Sequence, residues 1–155
     1  MVRRTRSGRA LSLVLGFLLA LPAVASAVGS GPAPTPVAPR SAEAQCNAGL
    51  QAKAAKRYPD AIVSFRRAVE SRPDYPEAWN ELGFALRQTG KYDDALGAYD
   101  QALKLRPNFP EALEYLGETY VKLGRLADAR VILERLTPLD AARAKELDEA
   151  IRVGH

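Results

Sequence analysis

The side chains able to do covalent or acid–base chemistry are few and poorly placed for it. Cys46 is the only thiol, and the only imidazole, His155, is the last residue. A nucleophilic cysteine needs a neighbouring base or cation to hold its thiolate, and the closest cation downstream is Lys53, two helical turns away. One cysteine excludes an intrachain disulfide, and one terminal histidine excludes a histidine-based triad or a His-rich metal site. Two carboxylate pairs are present, Asp93-Asp94 and Glu114/Glu118. Asp93-Asp94 opens a helical segment, where acids complement the helix dipole, and Glu43, Glu77 and Glu111 recur at helix starts for the same reason. No glycine-rich phosphate loop follows a strand, and no segment has the alternation of a strand. The expectation is a protein with no catalytic residue, cofactor or metal, hence not an enzyme, in which Cys46 is a small side chain on the first helix.

The charge balance narrows the partners. The chain carries 22 Lys and Arg against 18 Asp and Glu, a formal +4. Residues 1–27 hold four of those bases (Arg3, Arg4, Arg6, Arg9) and no acid, so residues 28–155 carry 18 of each sign. A neutral body has no electrostatic reason to bind phosphate backbones, so nucleic acid is not an expected partner.

The first forty residues read as an address and a tether. Basic residues 1–9 precede an uncharged, mostly apolar run at 10–24, and Ala25-Ser26-Ala27 offers small residues at the spacing a signal peptidase accepts. Pro22 ends the apolar helix ahead of that box. The expectation is a signal peptide at 1–27, cleaved after Ala27, with export to the periplasm or beyond and no membrane contact afterwards. An uncleaved anchor is the competing reading, since the uncharged run from Ala10 to Ser30 reaches the roughly 20 residues a bilayer needs. Residues 28–41, with Pro32, Pro34, Pro36 and Pro39 and almost nothing to bury, read as a Pro/Gly/Ala-rich linker.

What must position any functional side chain is an internal repeat. Arg72-Pro73-Asp74-Tyr75-Pro76-Glu77-Ala78 recurs 34 residues later as Arg106-Pro107-Asn108-Phe109-Pro110-Glu111-Ala112. Frames at 42–75, 76–109 and 110–143 align Gly49, Gly83 and Gly117 at position 8. They align Ala61, Ala95 and Ala129 at position 20, and Phe65, Tyr99 and Leu133 at position 24. Pro76 and Pro110 fit the first turn of a helix, where a missing N–H costs nothing. Trp79, Leu82 and Leu86 then fall on one helical face, Gly90 closes that helix, and Ala95, Tyr99, Ala102 and Leu105 stripe a second one. Gly83 and Ala95 are small where the two helices cross. In the first frame Lys56 stands where the others have Gly90 and Gly124. In the third, Pro138 comes three residues early, so its second helix is expected to end near Leu136. Asp140 then caps a last helix, 141–152, striped by Ala144, Leu147 and Ile151, with Glu146, Asp148 and Glu149 facing water.

The middle frame, Trp79…Leu82-Gly83…Leu86…Ala95…Tyr99…Ala102…Pro107, resembles a tetratricopeptide (TPR) repeat. The resemblance implies an all-α solenoid of three helix–turn–helix repeats and a capping helix, wound into a superhelix with a concave groove. It implies that the groove is lined by first-helix positions 2, 5, 9, 12 and 13. Carried over, the partner-facing residues are Leu50 and Lys53, then Asn80, Phe84, Arg87 and Gln88, then Glu114, Glu118 and Lys122. Members that clamp a peptide's terminal carboxylate use Lys and Asn at positions 5 and 9. Here those positions hold Cys46 and Leu50, Asn80 and Phe84, Glu114 and Glu118, so the clamp is absent. The groove reads apolar at the Leu50–Phe84 end and acidic at the Glu114/Glu118 end, which favours a basic residue on the partner. The expected function is an exported adaptor that binds a peptide or protein in the bacterial cell envelope. Two further readings stay open: a subunit or assembly factor of a secretion, pilus or cytochrome-maturation machine, and a self-associating structural solenoid.

Overall fold

The computed structural model describes residues 41–154. The expected signal segment at 1–27, and the linker at 28–41 apart from Ser41, lie outside the described residues. Seven helices follow in order: α1 (Ala42–Ala54), α2 (Tyr58–Ser71), α3 (Pro76–Gln88), α4 (Tyr92–Leu105), α5 (Pro110–Lys122), α6 (Leu126–Leu136) and α7 (Ala141–Val153). The described residues contain no strand. None of these helices is long and apolar enough to cross a membrane. The first six pack as three hairpins, α1 with α2, α3 with α4 and α5 with α6, and each hairpin stacks on the next through α2–α3 and α4–α5. The chain is an all-α solenoid of three repeats closed by α7.

Local chemistry sets these boundaries. Ser41 Oγ accepts from Ala44 N at 3.2 Å to start α1, and Asp140 Oδ1 accepts from Ala142 N and Arg143 N, both at 3.1 Å, to start α7. Pro76 and Pro110 are the first residues of α3 and α5. Within each hairpin the turn needs a left-handed residue. Gly90 (φ 74°) and Gly124 (φ 70°) supply it freely, whereas Lys56 adopts φ 56° in the same frame position at a cost of about 1 kcal/mol.

The small residue at position 8 is explained by a side chain, not by helix contact alone. A Cβ on Gly49 would lie 2.5 Å from the Phe65 ring, and one on Gly83 would lie 2.5 Å from the Tyr99 ring. Both rings are fully buried. Each of the first two repeats thus fills its own glycine cleft with its own position-24 aromatic. The third does not: Leu133 is half-buried, and the atom nearest a Cβ on Gly117 is Leu147 Cδ2, at 2.5 Å. α7 begins three residues before the 34-residue period would start another repeat, and this advance carries Leu147 over Gly117. Ala144, Leu147 and Ile151 form the buried stripe of α7, at 5%, 0% and 5% exposure. Glu146 and Glu149 face water, while Asp148 is half-buried and accepts from Arg152 at 2.5 Å.

Two glycine-to-alanine changes should therefore move stability in opposite directions. Gly83→Ala pushes a methyl into the Tyr99 ring and should cost about 1–3 kcal/mol. Gly97→Ala, mid-α4, meets nothing within 4 Å and should gain up to about 1 kcal/mol from helix propensity. Urea titrations of both variants check the pair; equal shifts of the same sign would contradict it.

Candidate functional site

The inner face of the solenoid is built from α1, α3 and α5, and three half-buried rings run across it. Phe84 on α3 meets Tyr58 at the start of α2, with centroids 6.3 Å apart, and Tyr115 on α5 at 5.3 Å. Tyr115 in turn lies 6.2 Å from Tyr99, which is buried beneath α3. Cations sit over the same rings. Lys53 Nζ is 4.7 Å from the Phe84 centroid, and the Arg87 guanidinium lies 5.5 Å from Phe84 and 5.3 Å from Tyr115. Phe84, expected to face a partner at the apolar end of the groove, is half-buried and braced by four neighbours from three helices and a helix start.

Most charges of this face pair with one another, Lys122 being the exception among the described residues. Lys53 on α1 donates to Glu81 on α3 at 2.5 Å, and Arg87 on α3 pairs with Glu118 on α5 at 2.6 Å. Arg143 on α7 pairs with Glu114 and, at 3.2 Å, with Glu111, both on α5. Each successive pair of inner helices is joined by one such bridge, and α5 and α7 by two that share Arg143. This overturns the acidic end expected from Glu114 and Glu118. Glu118 is spoken for by Arg87, and Glu114 is only 4% exposed beneath Arg143. The groove positions alone do not show this, because Arg143, the last residue of the third frame, reaches Glu114 from the first turn of α7.

Burial pushes the Glu114 carboxyl above the ordinary carboxylate range, against the opposing pull of Arg143. A carboxyl raised by folding takes up a proton on folding. Its cost to stability is present at neutral pH and fades as pH falls through the raised value toward the unfolded value of about 4.3. Measured against Glu114→Gln, which keeps an acceptor for Arg143, the wild type should gain relative stability between about pH 7 and about pH 4.5. Urea midpoints across that range check it; a flat difference would contradict the assignment.

The other carried-over residues separate cleanly. Leu50 (38% exposed), Gln88 and Lys122 are on the surface. Asn80 is 4% exposed, and its Oδ1 is buried without a hydrogen-bond partner among the described residues. Cys46 is packed in the core at 3% exposure, where burial raises its thiol, so it presents no thiolate to the groove. Sequence reasoning missed Glu81 and Tyr115, which share frame position 6, and Tyr58 at position 17. Position 6 was legible: it lies one helical turn from position 2 and three residues from position 9. Among the described residues no group of three His, Cys, Asp or Glu side chains could hold a metal ion.

A second set of bridges runs along the repeat itself. Arg72 pairs with Glu43 and Arg106 with Glu77, and each guanidinium also stacks on the aromatic three residues on, Tyr75 at 3.7 Å and Phe109 at 4.6 Å. These explain why Arg, an aromatic and Glu recur together in the seven-residue motif. They are structural and lie outside the groove set.

Comparison with known proteins agrees with this geometry. A family model described as TPR repeat matches residues 85–124, and one described as tetratricopeptide repeat matches residues 46–96. No curated protein matches the chain. Among solved structures, the TPR2B domain of yeast Sti1 in complex with pHsp70 superposes with a TM-score of 0.69 at 19% identity, covering 73% of this chain and 94% of that one. The first TPR of Spaghetti (RPAP3), bound to the HSP90 peptide SRMEEVD, gives 0.69 at 19% identity over 74% and 94%. The Arabidopsis OM64 TPR domain gives 0.70 at 15% identity over 74% and 97%. Identities this low establish a shared fold.

Proposed function

We propose that this chain, which is a tetratricopeptide-repeat protein, is an exported adaptor that holds a segment of a partner protein against the inner face of α1, α3 and α5. The observation that carries this reading is the row of half-buried rings Tyr58, Phe84 and Tyr115 on that face, with the neighbouring charges paired to one another. Aromatic surface left at the middle of a concave face, ringed by polar groups, is where binding energy concentrates. Two of the structural neighbours are complexes with Hsp70 or an HSP90 peptide, which supports peptide binding as the use of this surface. The partner class differs, however. The carboxylate-clamp residues are absent, Cys46 is in the core and Glu114 is closed by Arg143, so the paired-cation clamp for a terminal carboxylate is not present here. Export rests on the basic–apolar–small layout of residues 1–27 and places the partner in the bacterial cell envelope.

A photoreactive residue at position 84 of the full-length protein, expressed in cells, tests the reading. A discrete adduct with another envelope protein is expected, absent when the probe sits at Val63 on the outer helix α2, where it is 49% exposed. Equal labelling from both positions would remove the groove from consideration. Intact mass of the same recovered protein should give a mature start at Val28; a retained Met1 would remove cleavage.

A further inference from the structure

We propose that two copies of the chain exchange α7, each docking it on α5 and α6 of the other, in a closed two-fold dimer hinged at residues 137–140. The exchange concerns the end of the solenoid and is independent of what the inner face binds. Three observations carry it. The first is that α7 sits on the solenoid as a separable ligand. Among the described residues it packs against α5 and α6 and against no other helix. Its anchors lie on α5: Leu147 supplies the atoms nearest a Cβ on Gly117, and Arg143 pairs with Glu111 and Glu114. It carries its own caps, the Asp140 carboxylate at its start and Gly154 (φ 73°) at its end, so it moves as a complete helix. The second is selectivity. Glu114 is 4% exposed, and Arg143 is its only bridging cation among the described residues. An empty site would strand that carboxylate, so an incoming helix must bring an arginine there. α7 presents Arg143, Leu147 and Ile151 at i, i+4 and i+8, and a second copy's α7 meets the site with every contact unchanged. The third is the hinge. Pro138 favours extended backbone at the residue before it, whereas Thr137 is helical in this fold (φ −50°, ψ −47°). Opening lets Thr137 take the extended form and gives up the Leu139 and Asp140 amide bonds to Leu136 O. Four extended residues reach about 14 Å, beyond the roughly 8–10 Å between packed helices. Leu139, 38% exposed, is the apolar side chain that a second hinge crossing there would cover. Because the exchanged contacts repeat those of the monomer, protein concentration decides between the two forms.

The test uses the protein purified from expressing cells, held in mild urea, returned to buffer and read by size exclusion with light scattering. A dimer is expected whose share rises with protein concentration between about 10 and 500 µM and which grows no larger. Charge exchange then identifies the contact. Arg143→Glu alone, and Glu114→Lys alone, each set like charges against one another where α7 meets α5. In a mixture each chain takes the other's α7, and both junctions regain opposite charges. The mixture should hold at least about tenfold more dimer than either variant alone. Pro138→Ala, at an exposed position, removes the hinge's bias toward extension and should lower the dimer share about threefold or more, with the helical circular dichroism intact. A monomer at every concentration, a mixture no more dimeric than its components, or growth past the dimer would each overturn the proposal. Should either charge variant fail to refold, Pro138→Ala still decides: a dimer share equal to that of the wild type would discard the exchange.

Discussion

Tyr99→Ala should unfold the protein more readily than any other single truncation in the middle repeat, by about 3–5 kcal/mol. The ring is fully buried, fills the cleft over Gly83 and lies 6.2 Å from the Tyr115 ring, so its loss leaves a cavity that rigid helices cannot close. The informative companion is Tyr99→Phe. The Tyr99 hydroxyl is buried without a hydrogen bond, and burial holds its phenol well above the ordinary range. The first repeat does the same work with Phe65, which has no hydroxyl to strand. Tyr99→Phe should therefore be neutral or stabilising, because an unpaired buried hydroxyl costs about 1–3 kcal/mol. Chemical denaturation of both variants settles it: a phenylalanine variant as damaged as the alanine one would mean that the hydroxyl, and not the ring, holds the repeat.

Leu147→Ala should cost about 2–5 kcal/mol, and the loss should begin at one end. Leu147 is fully buried and supplies the three atoms nearest a Cβ built on Gly117. Without it α7 keeps the Arg143 bridges and little else central, and in a linear array a terminal unit can detach alone. Amide hydrogen exchange should show α7 losing protection first, with α1 and α2 unchanged at low denaturant. Uniform loss along the chain would contradict an end-local role.

Much of this architecture was legible in the residues, for reasons confined to single helices. Pro76 and Pro110 mark helix starts, Gly90 and Gly124 mark turns, and Asp140 marks the last cap, because each acts on its own backbone. What could not be read was pairing between elements. Glu114 looked like a partner-facing acid because the TPR resemblance assigns its frame position to the groove; that position is buried in all three repeats, at Cys46, Asn80 and Glu114, and Arg143 from α7 pairs with the last. Phe84 looked free because Tyr58, Tyr115, Lys53 and Arg87 come to it from α2, α5, α1 and one turn away on α3. Leu133 occupies the aromatic's frame position, but nothing in its type indicates that Leu147 fills the cleft in its place.

The way the glycine clefts are filled also decides how such an array can change length over generations. Residues 42–75 and 76–109 each carry both the notch and its stopper, Gly49 with Phe65 and Gly83 with Tyr99, so a duplicated copy of either arrives complete. Residues 110–153 carry a notch whose stopper lies on the final helix, Gly117 with Leu147, and cannot be divided without leaving it open. Duplication is therefore silent when it falls upstream of Pro110 and damaging when it falls between Leu136 and Ala141. Lineages of this gene should vary in repeat number only ahead of that terminal block, inheriting the block itself whole.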